Sequence, residues 1–208
     1  MQPDTPPSVP ICDARFHAAR KSEARAVAEL IEIAGEGIPR FLWSQQAEAG
    51  EDPLDVGTAR ARREDANFSY RNAVRAFCDD AVAGMLLAYR LPPPSAEDLA
   101  ALSALPALLR PLVELEAEVP GSFYINALAV HAPYRNQGLG SDLLMVAEAR
   151  ARDAGCVELS LQVFAENEAA LRFYLRHGYE VVARRPIVPH VCYPYSTEVL
   201  LMTRPLEK

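Results

Sequence analysis

The chain has 208 residues, half of them apolar and a quarter charged, with a formal net charge of −7. That length suits one globular domain with a sizeable buried core and argues against a second full domain. The acidic balance speaks against a nucleic-acid partner, which would meet a basic face; it suits solubility, and would also favour a cationic substrate.

In chain order, residues 1–8 are proline-rich and expected to be disordered, with neither the basic start nor the apolar run of a signal peptide. Residues 9–16 read as a first strand. Apolar Ala24, Val27, Ala28, Leu30 and Ile31 recur at the helical period, so a helix is expected over residues 21–34. Gly35-Glu36-Gly37 breaks it, and Phe41-Leu42-Trp43 opens a second apolar segment. Residues 47–58, with Gly50, Pro53 and Gly57, read as a loop. Residues 59–67 fit a short helix or more of the same irregular segment.

Residues 69–77 and 81–90 form a hairpin turning at Cys78-Asp79-Asp80. Leu91-Pro92-Pro93-Pro94 stops the second strand. A helical insert at about 91–121 follows, with Ser95 and Asp98 spaced as a capping box and Pro120-Gly121 as its end. The second half is more regular. Residues 122–130 make a strand apolar on both faces, hence central in a sheet. Then come a helix over 139–153 closed by Gly155, a strand over 156–164, a helix over 167–177, and last strands over 179–184 and 197–203. Strand, helix, strand in this order implies a right-handed crossover between neighbouring parallel strands.

No apolar run approaches the roughly 18 residues that cross a bilayer, so no membrane partner is expected. Cys12, Cys78, Cys156 and Cys192 lack CxxC spacing and read as reduced, buried thiols of a cytoplasmic protein. Neither they nor the histidines have metal-ligand spacing, so no metal is expected.

The most informative segment runs Val130-His131-Ala132-Pro133-Tyr134-Arg135-Asn136-Gln137-Gly138-Leu139-Gly140-Ser141, from a buried strand into a helix. Pro133 discourages further strand pairing, and Gly138 and Gly140 let the backbone turn close to a ligand. The first N–H groups of the helix then converge where its dipole favours negative charge. A pyrophosphate fits such a nest, with Arg135 adding a charge-assisted contact. The P-loop pattern is absent, and the dinucleotide fingerprint fails because position 143 is leucine.

Arg135-Asn136-Gln137-Gly138-Leu139-Gly140 resembles the coenzyme A signature of the GNAT superfamily of N-acetyltransferases, which reads Arg or Gln, two residues, Gly, one residue, then Gly or Ala. The likeness continues through Leu144 and resumes at Asn167-Glu168-Ala169-Ala170-Leu171-Arg172-Phe173-Tyr174, which is similar to the family's second signature. It is strong over about residues 122–185; the first half agrees in element order only. The resemblance implies an α/β fold with a mixed, centrally splayed sheet and helices on both faces, spanning residues 9–208. It implies an acetyl-CoA-dependent enzyme that acetylates an amine, whether a small molecule or a peptide, by direct attack in a ternary complex.

The same resemblance implies roles. Leu128, Ala129 and Val130 would offer backbone groups to the pantetheine arm, Arg135, Asn136, Gln137, Gly138, Leu139, Gly140 and Ser141 would hold the pyrophosphate, and Asn167 would bond the coenzyme arm. Tyr174 would protonate the leaving thiolate; Asn167 and Tyr174 are two helical turns apart and so share a face. The general base is open. Relatives use a glutamate on the strand before the loop, but residues 122–130 contain no carboxylate. Tyr124 and Asn126 are candidates to steer a water, and Glu36 is a candidate base at the acceptor wall. Glu114, Glu116 and Glu118 are spaced to spread around a helix, and His131 and His190 are weaker candidates.

The missing strand glutamate keeps a non-catalytic acyl-CoA-binding domain as the alternative. The insert is expected to cap the acceptor site through Leu99, Leu102, Leu105, Leu108 and Leu109, a homodimer interface being its competing use. The aromatic-rich stretch His190 to Tyr195 is a further candidate for the acceptor wall.

Overall fold

The computed structural model describes residues 14–207, so the proline-rich start, and all of the expected first strand before Ala14, lie outside the described residues. The elements are β1 (Ala14–Ala18), α1 (Ala24–Ala34), α2 (Ile38–Ser44), α3 (Pro53–Ala61), β2 (Ala73–Cys78), β3 (Ala81–Arg90), α4 (Ala96–Ala101), α5 (Arg110–Glu116), β4 (Phe123–Val130), α6 (Leu139–Asp153), β5 (Glu158–Phe164), α7 (Glu168–Arg176), β6 (Glu180–Pro186) and β7 (Glu198–Pro205). The strands form one sheet in the order β1-β2-β3-β4-β5-β7-β6. Only β4 and β5 run parallel, as the strand–helix–strand order requires.

Side-chain alternation along β3 sorts the core. Leu86 and Ala88 join Ile125, Leu159 and the Leu143-Leu144-Ala147 stripe of α6 on one face. Met85 and Leu87 join Ala127, Ala129 and the Val27-Ala28-Leu30-Ile31 stripe of α1 on the other. Helices therefore cover both faces. A third cluster gathers Leu108 and Leu115 with Tyr124, Tyr193 and Leu201, docking the insert against the C-terminal half of the sheet.

Local chemistry sets the element ends. Ser95 and Asp98 form the expected reciprocal cap: Asp98 N donates to Ser95 Oγ at 3.1 Å and Ser95 N to Asp98 Oδ2 at 2.9 Å. Asn167 caps α7 by accepting from Ala170 N at 3.1 Å. The loop expected over residues 47–58 is in part a helix. Asp52 accepts from Leu54 N at 3.0 Å and Pro53 occupies the first helical position of α3. Gly57 does not break that helix: its missing Cβ makes room for the Trp43 ring, whose Cζ3 would lie 2.6 Å from such an atom.

Among the described cysteines, Cys78 is disulfide-bonded, against the expectation of a reduced thiol, whereas Cys156 and Cys192 are free; Cys12 lies outside the described residues. No helix among the described residues is long and apolar enough to cross a membrane.

Candidate active site at the splay of β4 and β5

The parallel pair is short. Phe123, Tyr124 and Ile125 pair with Leu159, Ser160 and Leu161, and pairing stops there. The opposite, paired end is held by a 2.6 Å hydroxyl–hydroxyl bond between Ser122 and Ser160. Beyond Ile125, the register against β3 passes from Ala88↔Ile125 to Leu87↔Ala127, leaving Asn126 as an extra residue in β4. Such a bulge bends its strand. β4 turns away while β5 stays paired to β7 as far as Phe164↔Val199. The gap opens into a cleft of about 930 Å³.

Leu128, Ala129 and Val130 line one wall of this cleft with edge backbone that β5 no longer satisfies. At its mouth stand Arg135, Asn136, Gly138, Gly140 and Ser141. Asn136 at φ 61° and Gly138 at φ 89° take left-handed backbone, which turns the chain abruptly into α6. Leu139 and Gly140, in the first turn of α6, have no intrahelical partner for their N–H groups. The loop is braced from within. Arg135 Nε donates to Val130 O at 2.9 Å and Gln137 Nε2 to Pro133 O at 2.9 Å, while the Leu139 side chain is buried in the core. Gln137 and Leu139 thus hold the loop's shape with their side chains, and neither side chain lines the cleft.

Ser141 carries a partner that sequence reasoning missed. His177 Nε2 lies 2.8 Å from Ser141 Oγ and His177 Nδ1 lies 2.8 Å from Phe173 O. A carbonyl only accepts, so the neutral ring carries its hydrogen on Nδ1, and Nε2 accepts from the Ser141 hydroxyl. This bond ties the start of α6 to the end of α7.

Deeper in the cleft, Asn167 and Tyr174 stand on one face of α7, as their spacing requires. Asn167 Nδ2 donates to Glu36 Oε1, so residues 131 positions apart meet. Tyr174 is buried. Burial first, and the Glu36 carboxylate second, hold its phenol well above the ordinary tyrosine range. Glu36 sits between α1 and α2 at φ 52°, with Oε2 buried and unpartnered, and the Tyr195 phenol lies beside its carboxylate.

On the opposite wall, burial raises the Glu116 carboxyl above the usual carboxylate range. Burial likewise raises Tyr124, with the charge of Glu116 next in effect. The neighbours of Glu116 face elsewhere: Glu114 and Glu118 pair with Arg185 of β6. Asn126 lines the cleft beside Tyr89, whose phenol it hydrogen-bonds. His131 and His190 are not part of the lining; His190 packs on Phe41, ring centroids 4.4 Å apart.

The insert reaches the cleft through Leu109 and through Leu112, Val113 and Glu116 of α5. Leu108 is buried behind it, Leu102 and Leu105 are half-exposed, and the Leu99 side chain lies outside the described residues. Tyr193 and Tyr195 stack on Phe164 at 5.3 and 4.7 Å, so the aromatic stretch backs a wall residue. Gln162 was also missed, although it stands out as an amide between Leu161 and Val163. Its Nε2 donates to Leu112 O at 2.8 Å.

A parallel pair that parts over a cleft, with a glycine turn into a helix at the mouth and a buried tyrosine inside, is the framework of an acyltransferase. The chain matches the model of the acetyltransferase (GNAT) family over residues 38–179, and it belongs to that family. It is 45% identical over 56 residues to the aminoalkylphosphonate N-acetyltransferase of Salmonella typhimurium, and 36% identical over 56 residues to the uncharacterized N-acetyltransferase YdgE of Bacillus subtilis. Each match covers 27% of this chain and 36% of the relative, so it spans about a third of either curated protein. The solved structure of arylalkylamine N-acetyltransferase 2 from Aedes aegypti superposes with a TM-score of 0.65, covering 94% of this chain and all of that one at 16% identity, a likeness of fold.

Proposed function

We propose that the chain transfers the acetyl group of acetyl-CoA to a primary amine by direct attack in a ternary complex. The observation that carries this reading is the splay itself: one cleft joins the unpaired edge of β4, the turn into α6 and the buried Tyr174–Glu36–Asn167 cluster. The free amides of Leu139 and Gly140, with Asn136 and Ser141 alongside, suit a pyrophosphate. The edge groups of residues 127–130 suit the two amides of a pantetheine arm. Acetyl-CoA supplies an activated thioester.

The chain's residues supply the proton transfers. An amine is mostly protonated at neutral pH, so a base must take a proton before attack. Glu36 fills that place: it lines the cleft beside Tyr174, with Asn167 on one oxygen and the Tyr195 phenol beside the carboxylate. The nitrogen–carbon bond forms, the carbon–sulfur bond breaks, and Tyr174 gives its proton to the departing thiolate; the second proton shed by the amine nitrogen restores the phenol, and Glu36 returns the first to solvent. A phenol held above its ordinary range remains protonated, and thus able to donate, throughout the neutral range.

The test is release of free thiol from acetyl-CoA across a panel of primary amines. Amine-dependent release supports acetyl transfer. Acetyl-CoA binding without release from any amine would favour the non-catalytic acyl-CoA-binding alternative.

A further inference from the structure

The cleft's unsatisfied groups say what the acceptor must bring. Among the described residues, the buried side-chain atoms without a partner that belong to cleft-lining residues are Glu36 Oε2 and Gln162 Oε1. Both accept hydrogen bonds and neither donates. A buried acceptor left unmet costs about 1–3 kcal/mol, so the site is complementary to a ligand rich in donors. Glu116 also lines the cleft, its carboxyl hydrogen-bonded by the Tyr124 phenol. It lies one helical turn after Leu112, on the same face of α5, and Gln162 is anchored to the Leu112 carbonyl.

Apolar residues surround these acceptors, with Ile38 and Leu42 from α2, Leu112 and Val113 from α5, and Phe164 from β5. Three arginines also line the cleft: Arg60 on α3, Arg135 in the turn before α6 and Arg176 at the end of α7. None shares an element with Glu36, Glu116 or Gln162.

Resting on the acetyl-transfer reading, we infer that the acceptor is a primary ammonium on an apolar alkyl or aryl body that carries no anionic group. An ammonium is the donor-only head that this set of acceptors calls for. A carboxylate or phosphonate on the same body would be desolvated among apolar walls and repelled by the Glu36 carboxylate.

Matched pairs test this: 2-phenylethylamine against phenylalanine, and hexylamine against 6-aminohexanoate, the members of each differing in the carboxylate. Thiol release is measured for turnover, and binding to the acetyl-CoA-saturated protein is measured separately by calorimetry. The bare amine of each pair is expected to bind and turn over about 100-fold better, the scale of an unfavourable like-charge contact. Glu116→Arg is expected to narrow or reverse that preference while leaving acetyl-CoA affinity unchanged. Preferential binding of the bare amines without thiol release would support the acceptor class and sink acetyl transfer. Thiol release with equal or better use of the carboxylated members would sustain acetyl transfer and overturn the acceptor class. Failure of both bare amines to bind at millimolar concentration would also overturn it.

Discussion

Glu36 is held in left-handed backbone at φ 52°, which costs a non-glycine residue roughly 1–2 kcal/mol. That position brings its carboxylate against Asn167 and near Tyr174. Glu36→Gln preserves shape and removes basicity, so kcat is expected to fall by about 10²- to 10⁴-fold with acetyl-CoA affinity unchanged by calorimetry. Full activity in that variant would remove Glu36 as the base. Glu116 makes a different prediction, about stability. Burial raises its folded-state pKa above the ordinary 4.5, so folding favours the protonated acid. That stabilisation is present below pH 4.5 and is lost as pH rises through the raised value, beyond which a poorly solvated charge remains. Glu116→Gln is therefore expected to raise the melting temperature at pH 8 relative to wild type, with the difference shrinking toward pH 4. A melting-temperature difference that did not change with pH would contradict it.

At the scale of elements, the sequence was most legible where periodicity and caps agree. The helix over residues 139–153 is the observed α6, and Asn167 stands at the start of α7 as expected. α3 was less legible because Gly57 reads as a breaker, while its reason for being glycine is a contact with Trp43 across two helices. Replacing Gly57 with Ala sets about 1 kcal/mol of helix propensity against the roughly 1–3 kcal/mol cost of overpacking, since the new Cβ would stand 2.6 Å from the ring. Net destabilisation of about 1 kcal/mol is expected in urea unfolding, and a stabilised variant would show that Trp43 yields easily. Within β2, Arg75 is buried and paired with Glu23. Glu23→Ala would leave that guanidinium uncompensated, an expected loss of about 3 kcal/mol, checked by the same unfolding measurement.

Over the whole molecule, the two halves of the cleft differ in how sequence encodes them. The proposed coenzyme half runs from Leu128 through Ser141 to Asn167 and Tyr174, so the two motifs of the family resemblance mark it out on one strand, one turn and one helix face. The proposed acceptor half draws on Glu36, Glu116 and Gln162, which sit on three separate elements. No local period links them. Glu116 could not be told from Glu114 and Glu118 until the packing of α5 turned those two toward Arg185. The bulge at Asn126 was equally hidden, because it shows only in the register against β3.

The proposed chemistry depends on where acetyl-CoA lies, and a crystal structure of the complex measures that directly. The expected result is a pyrophosphate against the amides of Leu139 and Gly140, the pantetheine arm along residues 127–130 of β4, and the thioester sulfur beside the Tyr174 hydroxyl. Acetyl-CoA bound outside the gap between β4 and β5, or with its thioester remote from Tyr174 and Glu36, would contradict it.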